Sequence, residues 1–174
     1  MKDVISIIGL GYVGLPLAVA MAKKFKVVGF DINQKRIDEL NKGLDSTNEL
    51  SAIQVLDALN DGIFYTADME QLSNSNFYIV TVPTPINNDK TPNLNPIISA
   101  SKTIAKYLKK GTTVVYESTV YPGVTEEVCV PLLEEGSGLK FNTDFFVGYS
   151  PERINPGETK YKLTNITKVI GADS

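Results

Sequence analysis

Three glycines near the amino terminus have the spacing of a loop that binds the phosphates of a dinucleotide. They are Gly9, Gly11 and Gly14, and they form the pattern GxGxxG between a short apolar run and a helical one. In such a loop the first glycine allows a tight turn, the second admits a pyrophosphate and the third lets the helix pack on the strand. We therefore predict a pyrophosphate at the start of this helix, the alternative being a glycine turn without a ligand.

Asp31 ends the next apolar run and is the candidate contact for the adenosine end of such a dinucleotide. Its carboxylate can accept hydrogen bonds from an adenosine ribose and would repel a 2′-phosphate, which favours NAD over NADP. Arg36 leaves alternatives open, because it can neutralise a 2′-phosphate, contact the ribose or adenine, or be a solvated helix charge. NAD is the predicted cofactor.

Three further polar loops follow predicted strands, at 82–85, 117–120 and 150–153. Because ligands bind an open parallel sheet at the carboxyl ends of its strands, we expect these loops to line one crevice. The hydroxyls of Thr84 and Thr119 suit ribose hydroxyls or an ordered water. Glu152 can act as a base or position water, or can form a surface pair with Arg153 that contributes little. Each loop taken singly is also explained by ordinary turn chemistry.

Composition excludes several kinds of chemistry. The 174 residues include 17 basic and 20 acidic side chains and no histidine, so a catalytic triad or a histidine-ligated metal is excluded. The one cysteine, Cys129, cannot form a disulfide within the chain or a CxxC metal site, and we interpret it as a small apolar contact rather than a reactive thiol. The net charge of -3 gives no electrostatic basis for a nucleic-acid or membrane partner. The lone thiol indicates a reducing, cytoplasmic setting, and no bound metal is expected.

The uncharged run from Val4 to Ala22 has the length of a signal peptide or a membrane span. Gly9, Gly11 and Pro16 would break an apolar helix near its centre, so the run is better interpreted as a strand, a glycine turn and a helix.

Strand and helix patterns alternate along the rest of the chain, which predicts an α/β fold with a doubly wound, Rossmann-like parallel sheet in a single domain. The predicted strands are 4–8, 26–30, 63–65, 77–82, 113–117 and 145–149, with a strand-like run at 168–170. The predicted helices are a stretch ending near 24, 33–41, one opened by a Ser46/Glu49 capping box and running to 59, one opened by Asn95-Pro96 and ending at a basic turn before Gly111, and 122–135.

Five segments together resemble the UDP-glucose/GDP-mannose dehydrogenase family. They are GLGYVGLPLA at 9–18, GFDIN at 29–33, TVPTP at 81–85, YESTVYPG at 116–123 and YSPERINPG at 149–157. They occur in the family's order and span nearly the whole chain. The last two resemble the branch that acts on UDP-GlcNAc or UDP-GalNAc and makes uronic-acid sugars for bacterial capsule or O-antigen.

The resemblance implies an activity and a set of site residues. Two NAD molecules in turn accept hydride as the C6 alcohol of a UDP-N-acetylhexosamine becomes an aldehyde and then a carboxylate, through a thioester on a catalytic cysteine. The residues so implied in cofactor binding are Gly9, Gly11, Tyr12, Val13, Gly14, Asp31, Arg36, Pro83, Thr84, Ser118 and Thr119. Those implied in catalysis are Thr119 and Glu152, and those implied at the sugar nucleotide are Glu152, Arg153, Ile154 and Asn155.

Two departures from the family pattern limit what this chain is expected to do alone. Pro156 stands where some relatives carry a second glutamate, and Cys129 does not match the family's downstream GGxC motif. We expect residues 1–174 to form one NAD-binding domain with a frayed end at 171–174, lacking the family's central helix and carboxyl-terminal domain. It would bind NAD without turnover, the full-length enzyme being a homo-oligomer. The alternatives are a stand-alone, non-catalytic regulatory module, or the same domain of a UDP-glucose or GDP-mannose 6-dehydrogenase.

Overall fold

A seven-stranded sheet forms the centre of the molecule in the computed structural model, which describes residues 3–152 and 167–172. Its strand order is β3-β2-β1-β4-β5-β6-β7, with every neighbouring pair parallel except β6 and β7. This order confirms the predicted doubly wound, Rossmann-like sheet. The strands are β1 Val4–Ile8, β2 Lys26–Phe30, β3 Ile63–Thr66, β4 Phe77–Val80, β5 Thr112–Tyr116, β6 Phe145–Tyr149 and β7 Gly171–Ala172.

Two apolar cores cover the two faces of this sheet. In β1, Ile5 and Ile7 belong to one core and Ile8 to the other, as expected when successive side chains point to opposite faces. The helices that cover the faces are α1 Gly14–Ala22, α2 Gln34–Leu40, α3 Ala52–Asn60, α4 Asn95–Ala105 and α5 Val130–Ser137. In the described part of the chain none of the helices has the length and apolar character needed to span a bilayer.

The helix expected after residue 46 begins later, and the predicted Ser46/Glu49 capping box is wrong. The capping box is formed by Ser51 and Gln54 at the start of α3. The Gln54 N–H donates to Ser51 Oγ, and the Ser51 N–H donates to Gln54 Oε1. The preceding backbone is held instead by the Asp45 carboxylate, which accepts hydrogen bonds from the N–H groups of Glu49 and Leu50, both at 3.0 Å. A buried acceptor therefore keeps this segment out of the helix.

The helix α4 also differs at both ends from its prediction. The residue that caps it is Leu94, without a side-chain hydrogen bond, and Asn95 is already helical. The helix ends at Ala105, so the basic turn before Gly111 lies outside it. The chain leaves the helix in a turn, in which the Tyr107 N–H donates to the Ile104 carbonyl at 2.9 Å.

The segment around Cys129 is not a regular α-helix. Residues Thr125–Cys129 form a π-helical turn, and the Val130 N–H reaches back five residues to the Thr125 carbonyl before α5 begins. Pro131 explains the irregularity, since it has no N–H for the carbonyl four residues earlier and its ring would crowd that carbonyl.

Gly171 and Ala172 form a short strand within the stretch 171–174, where a frayed end was expected. Gly171 and Ala172 pair antiparallel with Tyr149 and Gly148, so the expectation is wrong at these two residues. The edge of β6 otherwise presents unpaired backbone groups, which a short returning strand satisfies. The last two residues, 173 and 174, lie outside the described residues.

Candidate functional site

A cavity of about 710 Å³ opens along the edge of the sheet where the parallel strands end. It lies at the junction of β1 and β4, where the chain crosses from one half of the sheet to the other, the place where such sheets bind ligands. The predicted site residues on its wall are Gly9, Gly11, Tyr12, Val13, Asp31, Pro83, Thr84, Ser118, Thr119 and Glu152. Gly14 and Arg36 are not on this wall, and Arg153, Ile154 and Asn155 lie outside the described residues.

The glycine loop requires glycine at two of its positions for different reasons. Gly9 has a φ of +96°, a conformation that residues with side chains rarely adopt. A Cβ on Gly14 would lie 1.9 Å from the Gly9 carbonyl oxygen and 2.4 Å from Thr81 Oγ1. Gly14 therefore lets α1 begin directly against the loop, as the motif predicted.

The middle glycine faces open space. A Cβ on Gly11 would meet no atom within 4 Å, chain neighbours aside, and Gly11 lines the cavity. Among the described residues, the N–H groups of Gly11, Tyr12 and Val13 donate to no backbone carbonyl. They stand at the positive end of α1, so this loop fits a pyrophosphate both sterically and electrostatically.

Asp31 lies at the end of β2, beside the glycine loop. Its Oδ2 accepts a hydrogen bond from the Leu10 N–H and its Oδ1 one from the Asn33 N–H, both at 2.9 Å. The carboxylate therefore fixes the loop and also lines the cavity, where its predicted contact with the adenosine ribose remains a prediction.

Arg36 is buried, so the interpretation as a solvated helix charge is wrong. Its side chain is 8% exposed, and Nη2 forms an ion pair of 2.8 Å with Asp45 Oδ1. Nε donates to the Leu10 carbonyl at 2.9 Å and Nη1 to Ser46 Oγ at 3.0 Å. No sequence pattern pointed to Asp45, because its part follows from contacts between α2 and the loop before α3.

The hydroxyls of the next two loops differ in what they contact. Thr84 Oγ1 is buried on the cavity side of the fold and has no hydrogen-bond partner among the described residues. Ser118 Oγ donates to the Val82 carbonyl at 2.7 Å, which ties the loop after β5 to the loop after β4. Thr119 is exposed at the cavity. A buried hydroxyl without a partner is rare in proteins, and at a cavity wall it fits a bound ligand that supplies the partner.

Glu117 is a cavity residue to which the sequence assigned no role. It is 6% exposed, and its Oε2 accepts a short hydrogen bond from Lys168 Nζ. Burial raises the pKa of the Glu117 carboxyl above its ordinary value, and the nearby charge of Glu152 acts in the same direction, whereas Lys168 lowers it. Two carboxylates and one lysine thus lie at the end of the crevice where the loops after β5 and β6 meet.

Cys129 lies in the core, as its interpretation as an apolar contact predicted. It is fully buried beside Tyr116, whose hydroxyl lies 2.7 Å from Ser101 Oγ. Burial raises the pKa of the Cys129 thiol, which disfavours the nucleophilic thiolate.

A doubly wound sheet, a glycine loop with open amides and an acid after the second strand together define a dinucleotide-binding domain. The comparison with protein families makes this specific. The chain belongs to the UDP-glucose/GDP-mannose dehydrogenase family, and the model of that family's NAD-binding domain matches residues 3–174. NAD is thus the cofactor of this domain, as predicted.

Similar proteins support the same branch of the family as the sequence motifs. A UDP-N-acetyl-D-glucosamine 6-dehydrogenase of Pseudomonas aeruginosa is 56% identical over 100% of this chain and 41% of its own length. The protein CapL of Staphylococcus aureus is 51% identical over 98% of this chain and 39% of its own. The structure of a UDP-D-ManNAc dehydrogenase from Pyrococcus horikoshii superposes with a TM-score of 0.89 at 35% identity, covering 97% of this chain and 41% of that one. The chain therefore spans well under half the length of the relatives it matches.

Proposed function

We propose that this chain is the NAD-binding part of an enzyme that oxidises the C6 hydroxymethyl group of a UDP-N-acetylhexosamine to a carboxylate. The relatives named as UDP-N-acetyl-D-glucosamine 6-dehydrogenases support UDP-GlcNAc as the substrate. The observation that carries the proposal is one cavity that joins the glycine loop to Thr119 and Glu152. A regulatory module that only sensed NAD would not need polar and acidic groups beyond the cofactor loop.

The described residues divide the work along the crevice. Bound NAD supplies the hydride acceptor, twice for each sugar oxidised. The amides of Gly11, Tyr12 and Val13 bind its pyrophosphate, and Asp31 orients its ribose. Thr84 Oγ1 would form a hydrogen bond with bound NAD, since no residue in the described part of the chain provides it with a partner.

The oxidation itself needs groups at the far end of the cavity. The first hydride that leaves C6 is accompanied by the proton of the C6 hydroxyl, and the second by the hydroxyl proton of the thiohemiacetal that a cysteine thiol would form with the aldehyde, so a base must lie near the sugar. Glu152 would accept that proton or hold the water that hydrolyses the acyl intermediate, and Thr119 would hydrogen-bond to the same water; both residues line the cavity, which supports these roles. Arg153, Ile154 and Asn155 are proposed contacts of the sugar nucleotide.

The chain by itself is expected to bind NAD without turnover. Its one cysteine is buried in the core, so it offers no accessible thiol for the thioester stage. The uronic acid product would serve bacterial capsule or O-antigen synthesis in the cytoplasm, by an enzyme that is a homo-oligomer at full length. No nucleic-acid or membrane partner is proposed.

Calorimetry with NAD tests the first half of the proposal, and absorbance at the NADH band tests the second. NAD should bind with a stoichiometry of one per chain and more tightly than NADP, since Asp31 repels a 2′-phosphate. Addition of UDP-GlcNAc to the NAD complex should yield no NADH. Absence of NAD binding would overturn the cofactor assignment, and NADH formed by this chain would overturn the division of the active site.

A further inference from the structure

The cavity extends beyond the glycine loop onto the second half of the sheet. Asp31, at the end of β2, lies on the half predicted to hold the adenosine, whereas Thr84 and Glu117 follow β4 and β5 on the other half. A dinucleotide lies across both halves of a doubly wound sheet, with one nucleotide over each. The nicotinamide end of NAD is therefore expected beside the loops after β4 and β5.

Glu117 is a buried acid on this part of the cavity wall. It is 6% exposed, and its N–H donates to the Val80 carbonyl at 2.8 Å, which fixes its backbone. Its Oε2 accepts a hydrogen bond from Lys168 Nζ, and in the described part of the chain no other group donates to the carboxylate. Because a carboxylate can accept bonds at both oxygens, Oε1 is left for a donor in the cavity.

The chemistry of a carboxylate limits what this donor can be. An ionised carboxylate accepts hydrogen bonds and donates none, so it must meet an N–H or O–H group. The nicotinamide half of NAD carries two kinds of donor, the hydroxyls of its ribose and the NH2 group of its carboxamide. Thr84 and Thr119 suit the hydroxyls, since all of these groups both donate and accept. The acceptor-only carboxylate of Glu117 suits the NH2 group, which only donates.

We propose that Glu117 binds the carboxamide NH2 group of the nicotinamide and thereby fixes the orientation of the ring. The inference rests on the proposed function, under which NAD occupies this cavity. The carboxamide is attached to the ring carbon next to the one that accepts the hydride, so its orientation decides which face of that carbon meets the sugar. Lys168 bonds Oε2 and so leaves Oε1 to the ligand.

Calorimetry with three ligands separates the contacts that Glu117 could make. NAD carries the carboxamide, the acetylpyridine analogue of NAD has an acetyl group in its place and the same ring charge, and ADP-ribose keeps the ribose without a ring. The unmodified chain should bind NAD about tenfold more tightly than the acetylpyridine analogue, the size of one hydrogen bond to a charged group.

Glu117→Gln should abolish this preference. Lys168 offers only donors, so it would hold the carbonyl oxygen of the introduced amide and leave the NH2 group towards the cavity, where it cannot accept from the carboxamide. NAD binding should weaken about tenfold, and the affinity ratio of the two dinucleotides should fall to about one. ADP-ribose binding should change less than about twofold, since this ligand has no carboxamide.

Two further variants complete the design. Glu126→Gln removes the same charge from an exposed residue that is not on the cavity wall, and should leave the binding of all three ligands unaffected. Glu117→Met/Lys168→Met replaces both members of the ion pair by apolar side chains, which avoids an unpaired buried charge. This double variant should bind the two dinucleotides about equally, and it keeps the proposal testable if Glu117→Gln does not fold.

Three results would overturn the carboxamide contact. One is an affinity ratio that stays the same when Glu117 is replaced, because a carboxylate that only attracts the cationic ring favours both dinucleotides equally. Another is an equal loss of NAD and ADP-ribose binding, because Glu117 would then bind the ribose. The third needs no variant, and is the absence of any preference for NAD over its acetylpyridine analogue in the unmodified chain. Failure of the unmodified chain to bind either NAD or ADP-ribose would instead contradict the proposed function, so the two failures are distinguishable.

Discussion

Gly11 and Gly14 belong to one motif, but the space around them differs. A Cβ at Gly14 would collide with backbone, and a Cβ at Gly11 would meet only the cavity. Gly14→Ala should therefore lower the free energy of unfolding by about 1–3 kcal/mol or more, the usual cost of an overpacked site. Gly11→Ala should leave unfolding almost unchanged and weaken NAD binding about tenfold, because its methyl group takes the space of the pyrophosphate.

Urea unfolding and calorimetry with NAD on both glycine variants check this contrast. The two variants act as controls for each other, since both exchange hydrogen for methyl in the same loop. Loss of fold in Gly11→Ala, or normal stability in Gly14→Ala, would contradict the assigned roles.

The Thr84 hydroxyl is expected to lower the stability of the ligand-free chain and to strengthen NAD binding. Its buried Oγ1 has no hydrogen-bond partner within residues 3–152 and 167–172. Thr84→Val should leave the free energy of unfolding of the ligand-free chain unchanged or higher, and weaken NAD binding about three- to tenfold through loss of one hydrogen bond. Thermal unfolding with and without NAD measures both effects at once.

Thr81→Val provides the matched comparison for Thr84. Thr81 Oγ1 donates to the Gly9 carbonyl at 2.7 Å, so its removal should lower stability without ligand. If both valine variants destabilise the ligand-free chain equally, the Thr84 hydroxyl is not kept for a ligand.

Among single residues, the sequence predicted those whose role is determined by the backbone next to them. Gly9, Gly14 and Asp31 are recognisable because a turn, a tight contact and a strand end each determine the residue type nearby. The partnership of Glu117 with Lys168 is not visible in this way, since it joins residues 51 positions apart.

The ends of elements are where the sequence patterns were least informative. The strands 4–8, 26–30 and 145–149 have the predicted bounds, because burial on both faces gives continuous apolar runs with clear ends. The start of α3 was misplaced because two serines offer capping spacing, and only the buried Asp45 carboxylate decides between them.

Substitution at the observed capping box tests that assignment. Ser51→Ala should lower the free energy of unfolding by about 1 kcal/mol, because it removes the acceptor for the Gln54 N–H at the start of α3. Gln54→Ala should have a smaller effect of the same sign, since it removes the reciprocal half of the box. Urea unfolding of both variants is the measurement, and no loss in Ser51→Ala would place the start of the helix elsewhere.

The order of the strands assembles the whole site from distant parts of the chain. Five of the six parallel strands end in loops that reach the cavity wall, at positions as far apart as Gly9 and Glu152. The sequence could predict this edge, because parallel strands end on the same side. It could not predict that β7 returns along β6, which brings Lys168 to the buried Glu117.

The charge balance around Glu117 makes the stability of the whole molecule depend on pH. Burial raises the pKa of this carboxyl above its ordinary value of 4.5, while Glu152 raises it further and Lys168 lowers it. A carboxyl whose pKa is raised by folding stabilises the fold at pH values below its pKa in the unfolded state. That contribution is lost as the pH rises through its pKa in the folded state. The unmodified chain should therefore lose stability relative to Glu117→Gln as pH rises above 4.5. Lys168→Met should extend this decline to higher pH, since it removes the cation that holds the pKa down.

Urea unfolding from pH 4.5 to about 8 measures all three chains, and parallel curves for the unmodified chain and Glu117→Gln would show that Glu117 titrates as an ordinary surface carboxyl.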